Sequence, residues 1–142
     1  MVREDIIKIR FDIYSEQQHA LSLMLASDGA IVRQGTANLP VESAIFNGQI
    51  DTQVFNSLID ELDNELFAYA SVYDHPDKSG TSVVYSVAFL DKQENECFFE
   101  FRFGTETADL GDLLPYFDHF ISKAVSLSDV WYQQQLNKST SH

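Results

Sequence analysis

The chain has 142 residues, 22 of them acidic and 9 basic, for a formal charge of −13. Such a surface repels nucleic-acid phosphates and anionic membranes, so neither is an expected partner. Hydrophobic residues make up 44% of the chain, with 11 Phe, which is too apolar for disorder, and no apolar run approaches the ~20 residues of a membrane span.

This length suits one domain, expected over residues 1–136 with a flexible tail at 137–142. The opening Met-Val-Arg-Glu-Asp-Ile-Ile lacks the apolar stretch of a secretory signal. The single cysteine, Cys97, has no internal partner for a disulfide. Both features point to the cytoplasm.

Ile7, Ile9, Phe11 and Ile13 alternate with Lys8, Arg10, Asp12 and Tyr14, the period of a half-buried strand. A second strand follows in ALSLMLA, with Leu21, Leu23 and Leu25 on one face. Ser27-Asp28-Gly29 resembles a calcium-loop start only in its Asp-Gly pair and reads as a hairpin turn. AIVRQG, Ala30 to Gly35, returns as the third strand, and residues 36–50, with Pro40 and Gly48, read as a loop. Asp51 suits an N-cap, and Val54, Phe55, Leu58, Ile59, Leu62 and Leu66 then fall at helical spacing, predicting a helix over 52–65.

A second round follows. FAYASVY, residues 67–73, reads as a strand, and DHPDKSG as a loop. TSVVYSVAFL and ECFFEFRF read as a hairpin joined by DKQEN, with Cys97, Phe99, Phe101 and Phe103 inward. Asp112 caps a second helix that tolerates Pro115 in its first turn; Leu114, Phe117, Ile121, Ala124 and Val125 form its stripe. SDVWYQQQL adds a further helical turn or two, with Trp131 pinning it to the domain.

The expected fold is therefore α+β, a mostly antiparallel sheet of about six strands in βββα-βββα order. Two main helices would pack on one face. Each half has a hairpin ending in Gly-Thr, at Gly35-Thr36 and Gly104-Thr105, a hint of duplication. The other face would carry Lys8, Arg10, Ser22, Arg33, Ser86, Glu100 and Arg102. A partner or second subunit could cover part of it.

No phosphate loop, dinucleotide fingerprint, Gly-x-Ser-x-Gly or Cys-x-x-Cys occurs. Cys97 sits among apolar and acidic neighbours, which favour a core thiol over a nucleophile. Asp74, His75 and Asp77 offer metal donors, but crowded on one loop with Pro76 they equally suit a capped turn. Asp118-His119 on the second helix could supply a further ligand, but nothing in the sequence brings it near; His19 and His142 stand out less.

DELDNE is the feature that breaks a local rule. Asp60, Glu61, Asp63 and Glu65 fall at the expected C-terminal end of the first helix, where each exposed acid costs roughly 0.3–1 kcal/mol. No Lys or Arg occurs from Gln34 to Asp77, a span that also holds Glu42 and Asp51. None occurs from Phe103 to Ser122 either, where Glu106, Asp109, Asp112 and Asp118 lie. Three accounts compete: neutralisation by bases of the first strand, a solvated face, or a surface for a basic partner.

The expected function is a non-enzymatic protein-binding domain of the immunity-inhibitor, chaperone or adaptor kind. It would recognise a basic partner through Asp60, Glu61, Asp63 and Glu65, with no cofactor. One alternative is a small metal-assisted hydrolase using Asp74, His75 and Asp77. Another is a self-associating structural domain, a homo-oligomer through the second sheet face.

Overall fold

The computed structural model describes residues 1–16, 18–36, 44–77, 79–80, 82–104 and 111–140. Pro40, Glu42, Thr105, Glu106, Asp109 and His142 lie outside the described residues.

A 3-10 turn at Arg3–Asp5 leads into β1 (Ile6–Ser15), β2 (Gln18–Ala26), β3 (Ala30–Gly35) and β4 (Ile45–Gln49). After α1 (Thr52–Ile59) and a 3-10 helix at Asn64–Tyr69 come β5 (Val72–Asp74), β6 (Val83–Asp91), β7 (Glu96–Phe103) and α2 (Leu113–Thr140). The strands form one seven-stranded sheet in the order β4-β3-β2-β1-β6-β7-β5. All pairs are antiparallel except β5 with β7.

The class is α+β with two main helices, but the sheet has seven strands, is mixed, and does not repeat a βββα unit. The extra strand, β4, lies in the stretch expected to be a loop. It is an edge strand with only Phe46 partly covered, so it shows little alternation. The stretch 67–73, expected to be a strand, begins as the end of the 3-10 helix at Phe67–Tyr69 and becomes strand only at Val72. Asp63 Oδ1 accepts from Glu65 N–H, starts that helix and turns Phe67 into the core.

The inner face of the sheet is apolar by alternation. Ile9 and Phe11 on β1, Leu21, Leu23 and Leu25 on β2, Val87 and Phe89 on β6, and Phe99 and Phe101 on β7 are buried. Ile7 is not among them. The pairing register shifts between Ile6 and Lys8, which turns Ile6 inward and Ile7 out.

α2 is one continuous helix laid across this face. Phe117 meets Phe99 and Phe101 on β7; Phe120 meets Phe11 on β1 and Phe89 on β6; Tyr132 meets Phe46 on β4. The helix rises about 22 Å between Phe117 and Tyr132. Five strand spacings cover about 24 Å. α2 therefore runs across the strands and ties both ends of the sheet together. α1 lies beside it, with Lys123 Nζ donating to Ser57 O. Trp131 rests on Gly48 of β4, where an added Cβ would come within 3.2 Å of the indole.

One inward residue contradicts its expected place. Arg33 lies on the inner face, not the polar outer one, and its side chain is 0% exposed. Its Nε donates to Gly35 O, its Nη1 to Val125 O and Ser128 Oγ, and its Nη2 to Asp129 Oδ1 at 2.8 Å. The guanidinium also stacks 4.3 Å above the Tyr132 ring. A buried cation so fully partnered locks the C-terminal half of α2 to β3.

Neither α-helix covers the outer face, whose rows follow from the pairing. On β1, β6 and β7 they read Lys8-Leu90-Glu96, Arg10-Ala88-Phe98, Asp12-Ser86-Glu100 and Tyr14-Val84-Arg102.

Candidate functional site

The helix expected over 52–65 ends at Ile59, so the DELDNE carboxylates occupy a turn rather than the last helical turn. Asp51 caps its start as expected, accepting from Gln53 N–H at 2.9 Å. Asp60 is the C-cap, and the chain then dips to bury Leu62 before restarting at Asp63. Ending at Ile59 carries Asp63 and Glu65 beyond the helix end, while Asp60 and Glu61 remain at its negative terminus.

Arg3 organises this turn without neutralising it. Its Nη1 donates to the carbonyls of Asp60 and Leu62 at 3.2 and 2.8 Å, and its backbone N–H to Asn64 Oδ1. Among the described residues its one carboxylate contact is its neighbour, Glu4. From the other side, Tyr116 Oη donates to Glu61 O at 2.9 Å, and Lys123 Nζ pairs with the Glu61 carboxylate at 2.9 Å. Burial, then the Glu61 and Asp63 carboxylates, push the Tyr116 hydroxyl above its ordinary pKa, so it remains a donor.

Glu61 is thus paired and Asp63 serves as a cap, while Asp60, Asp63 and Glu65 have no ion-pair partner among the described residues. Arg3, Glu4, Glu61, Asp63 and Asn64 border a polar cleft of about 460 Å³. The four acids stand together on a backbone held from two sides.

The Asp74–Asp77 loop forms a closed turn. The His75 ring is buried and its Nδ1 accepts from Asp77 N–H at 3.0 Å. Asp77 Oδ1 accepts from Ser79 N–H, and that hydrogen bonding holds the Asp77 carboxyl below its usual range. Among the described residues no three His, Cys, Asp or Glu side chains gather as a metal-binding group. Asp118 and His119 sit on α2, where Asp118 faces Tyr85 instead. Cys97 is half-buried beside Phe67 O, and burial pushes its thiol up, away from nucleophilic character.

Two features escaped sequence reading. On the outer face, Asp12 is nearly buried beneath Arg10 and His19. Its carboxylate accepts from Arg10 Nε at 2.9 Å and meets His19 Nε2 at 2.9 Å, while His19 stacks on Tyr14. The pairing Tyr14 with His19 across the hairpin creates this group, and only a known register exposes it.

The second is a groove of about 600 Å³ between α2 and the sheet, lined by Ile13, Val83, Tyr85, Asp118, Ser122 and Asp129 among others. Tyr85 Oη donates to Asp118 Oδ1 at 3.2 Å. Burial first, then the Asp118 carboxylate, push the Tyr85 hydroxyl up to about 12 from 10.0. A folded-state value above the unfolded one means this stability is full below pH 10 and is lost as the pH rises towards 12. Tyr85→Phe is expected to flatten the alkaline fall in the urea midpoint, by about 1 kcal/mol after solvent screening. An unchanged slope between wild type and variant overturns the assignment.

Compared with protein-family models, with curated proteins and with solved structures, the chain has no match in any of the three. No helix among the described residues is long and apolar enough to cross a membrane.

Proposed function

We propose that this chain is a non-enzymatic protein-binding domain that recognises a basic partner through Asp60, Glu61, Asp63 and Glu65. Immunity-type inhibitors, chaperones and adaptors are the functional class meant. The observation that supports it is the state of the DELDNE turn. Its backbone is held by Arg3 and Tyr116, yet three of its four carboxylates lack a cation among the described residues. A rigid, underneutralised turn presents negative charge at little ordering cost, which suits fast, salt-sensitive association.

The triple variant Asp60→Asn/Asp63→Asn/Glu65→Gln tests this reading. Asn caps helices as well as Asp does, so the 3-10 helix survives. Thermal stability should stay within about 0.5 kcal/mol of wild type or rise slightly. A basic host protein retained by the wild type at low salt should be lost by the variant, and by the wild type at high salt. Equal retention by both proteins at every salt concentration overturns the proposal.

A further inference from the structure

We infer that the outer face of the sheet is a homodimer interface, in which two copies pack face to face about a two-fold axis running across the strands between the Arg10 and Asp12 rows. The first argument is charge. The chain carries −13, yet Lys8, Arg10 and Arg102 balance Asp12, Glu96 and Glu100 on the outer face of β1, β6 and β7. Like-charged copies can meet there while their surplus acids stay apart. The DELDNE turn lies beside α2 on the opposite side and remains exposed in such a pair.

The second argument is self-complementarity. An axis in that position reverses the order of the four rows, so each row faces another of the same sheet. The first row then meets the fourth: Glu96 faces the partner subunit's Arg102, a guanidinium that also pairs with Glu100 in its own chain, Leu90 faces the partner subunit's Val84, and Lys8 faces the partner subunit's Tyr14 ring. The two central rows meet each other, Ala88 against the partner subunit's Ser86 and Phe98 against the partner subunit's Glu100, while Asp12 stays covered by its own Arg10 and His19. Ala88 and Ser86 on β6 are small, so the sheets can approach most closely there.

The third argument is area. Seven strands at about 4.8 Å spacing and four rows at about 7 Å spacing bound a face of at most about 900 Å². A standard specific interface buries about 800 Å² per partner. Phe98 and Tyr14, exposed at 42% and 37%, and Ile45 and Val72 beyond them, supply apolar contact.

Light scattering on the full-length chain, at about 50 μM and moderate salt, tests the inference. Wild type should show twice the 16.1 kDa chain mass. Arg102→Glu sets acid against acid and should weaken dimerisation at least tenfold with an unchanged circular dichroism spectrum. Adding Glu96→Arg in the same chain restores the opposite pair across the axis and should recover the dimer. A wild type at the chain mass overturns the inference, as does a dimer that Arg102→Glu leaves intact. Failure of the Glu96→Arg rescue in a folded double variant overturns the axis. None of these readouts involves the acidic turn, so they stand apart from the partner-binding test.

Discussion

Arg33→Ala is expected to cost about 3–5 kcal/mol, among the largest single losses this domain can show. The substitution empties a fully buried site and strips Gly35 O, Val125 O and Ser128 Oγ of a donor. It also removes the cation stacked on Tyr132. The carboxylate left behind matters less, because the Asp129 side chain is 49% exposed and water can serve it. Arg33→Met keeps most of the volume without the charge, and should lose less than half as much, since an apolar replacement for a buried ion is often tolerated. Urea unfolding measures both variants. Hydrogen exchange supplies the local readout: amides of α2 beyond Val125 should speed up in Arg33→Ala before those of β1 and β6. A loss below about 1 kcal/mol in Arg33→Ala would show that the helix end is held by the aromatic contacts alone.

Gly35→Ala is the second large effect, at roughly 2–4 kcal/mol. Gly35 has φ +87°, and a Cβ there would lie 2.4 Å from Ala20 O. Because the obstacle is backbone, no side chain can swing away, and either β2 or β3 must shift. Gly35 also donates its N–H to Tyr132 Oη and accepts from Arg33 Nε, so a shift disturbs the α2 anchor. Gly111→Ala is the matching control. Its φ is +74°, but among the described residues nothing lies within 4 Å of an added Cβ. It should lose only the backbone strain, about 1 kcal/mol. Equal melting temperatures for the two variants would show that the contact with Ala20 relaxes freely.

The Arg33 result bears on function through α2. The helix provides Tyr116 and Lys123, which hold one side of the DELDNE turn. Those residues lie in its N-terminal half, where the contacts to Phe99, Phe101 and Phe11 are independent of Arg33. Loosening the C-terminal half should therefore leave the acidic turn in place. Binding of a basic partner by Arg33→Met tests that separation directly.

The alternating runs by themselves determined β1, β2, β6 and β7, because each has one buried apolar face and a period of two, and the Asp28-Gly29 turn implied β3 as the returning strand. They determined the stripe of α2 for the same reason, at helical spacing. What alternation cannot carry is a fold element that buries almost nothing. β4 exposes all but Phe46 and Ile50 beside it, so it was legible only once the sheet existed, while the strand expected over 67–73 is reduced to the three residues of β5.

The acidic turn divides along the same line. Its composition, and the lack of a base from Gln34 to Asp77, were evident from residue order. Its shape was not. Arg3 and Lys123 come from chain positions far from Asp60, and they act on carbonyls as much as on carboxylates. Arg33 makes the point most sharply. Hydropathy sends an arginine to solvent, but its place in the alternation of β3 puts it on the inner face with Ile31 and Gly35. Only α2, crossing above with Ser128, Asp129 and Tyr132, supplies the partners that make this burial stable. Long-range pairing decided which polar groups became structure and which stayed as surface, because a buried charge is tolerable only where distant residues complete its hydrogen bonds.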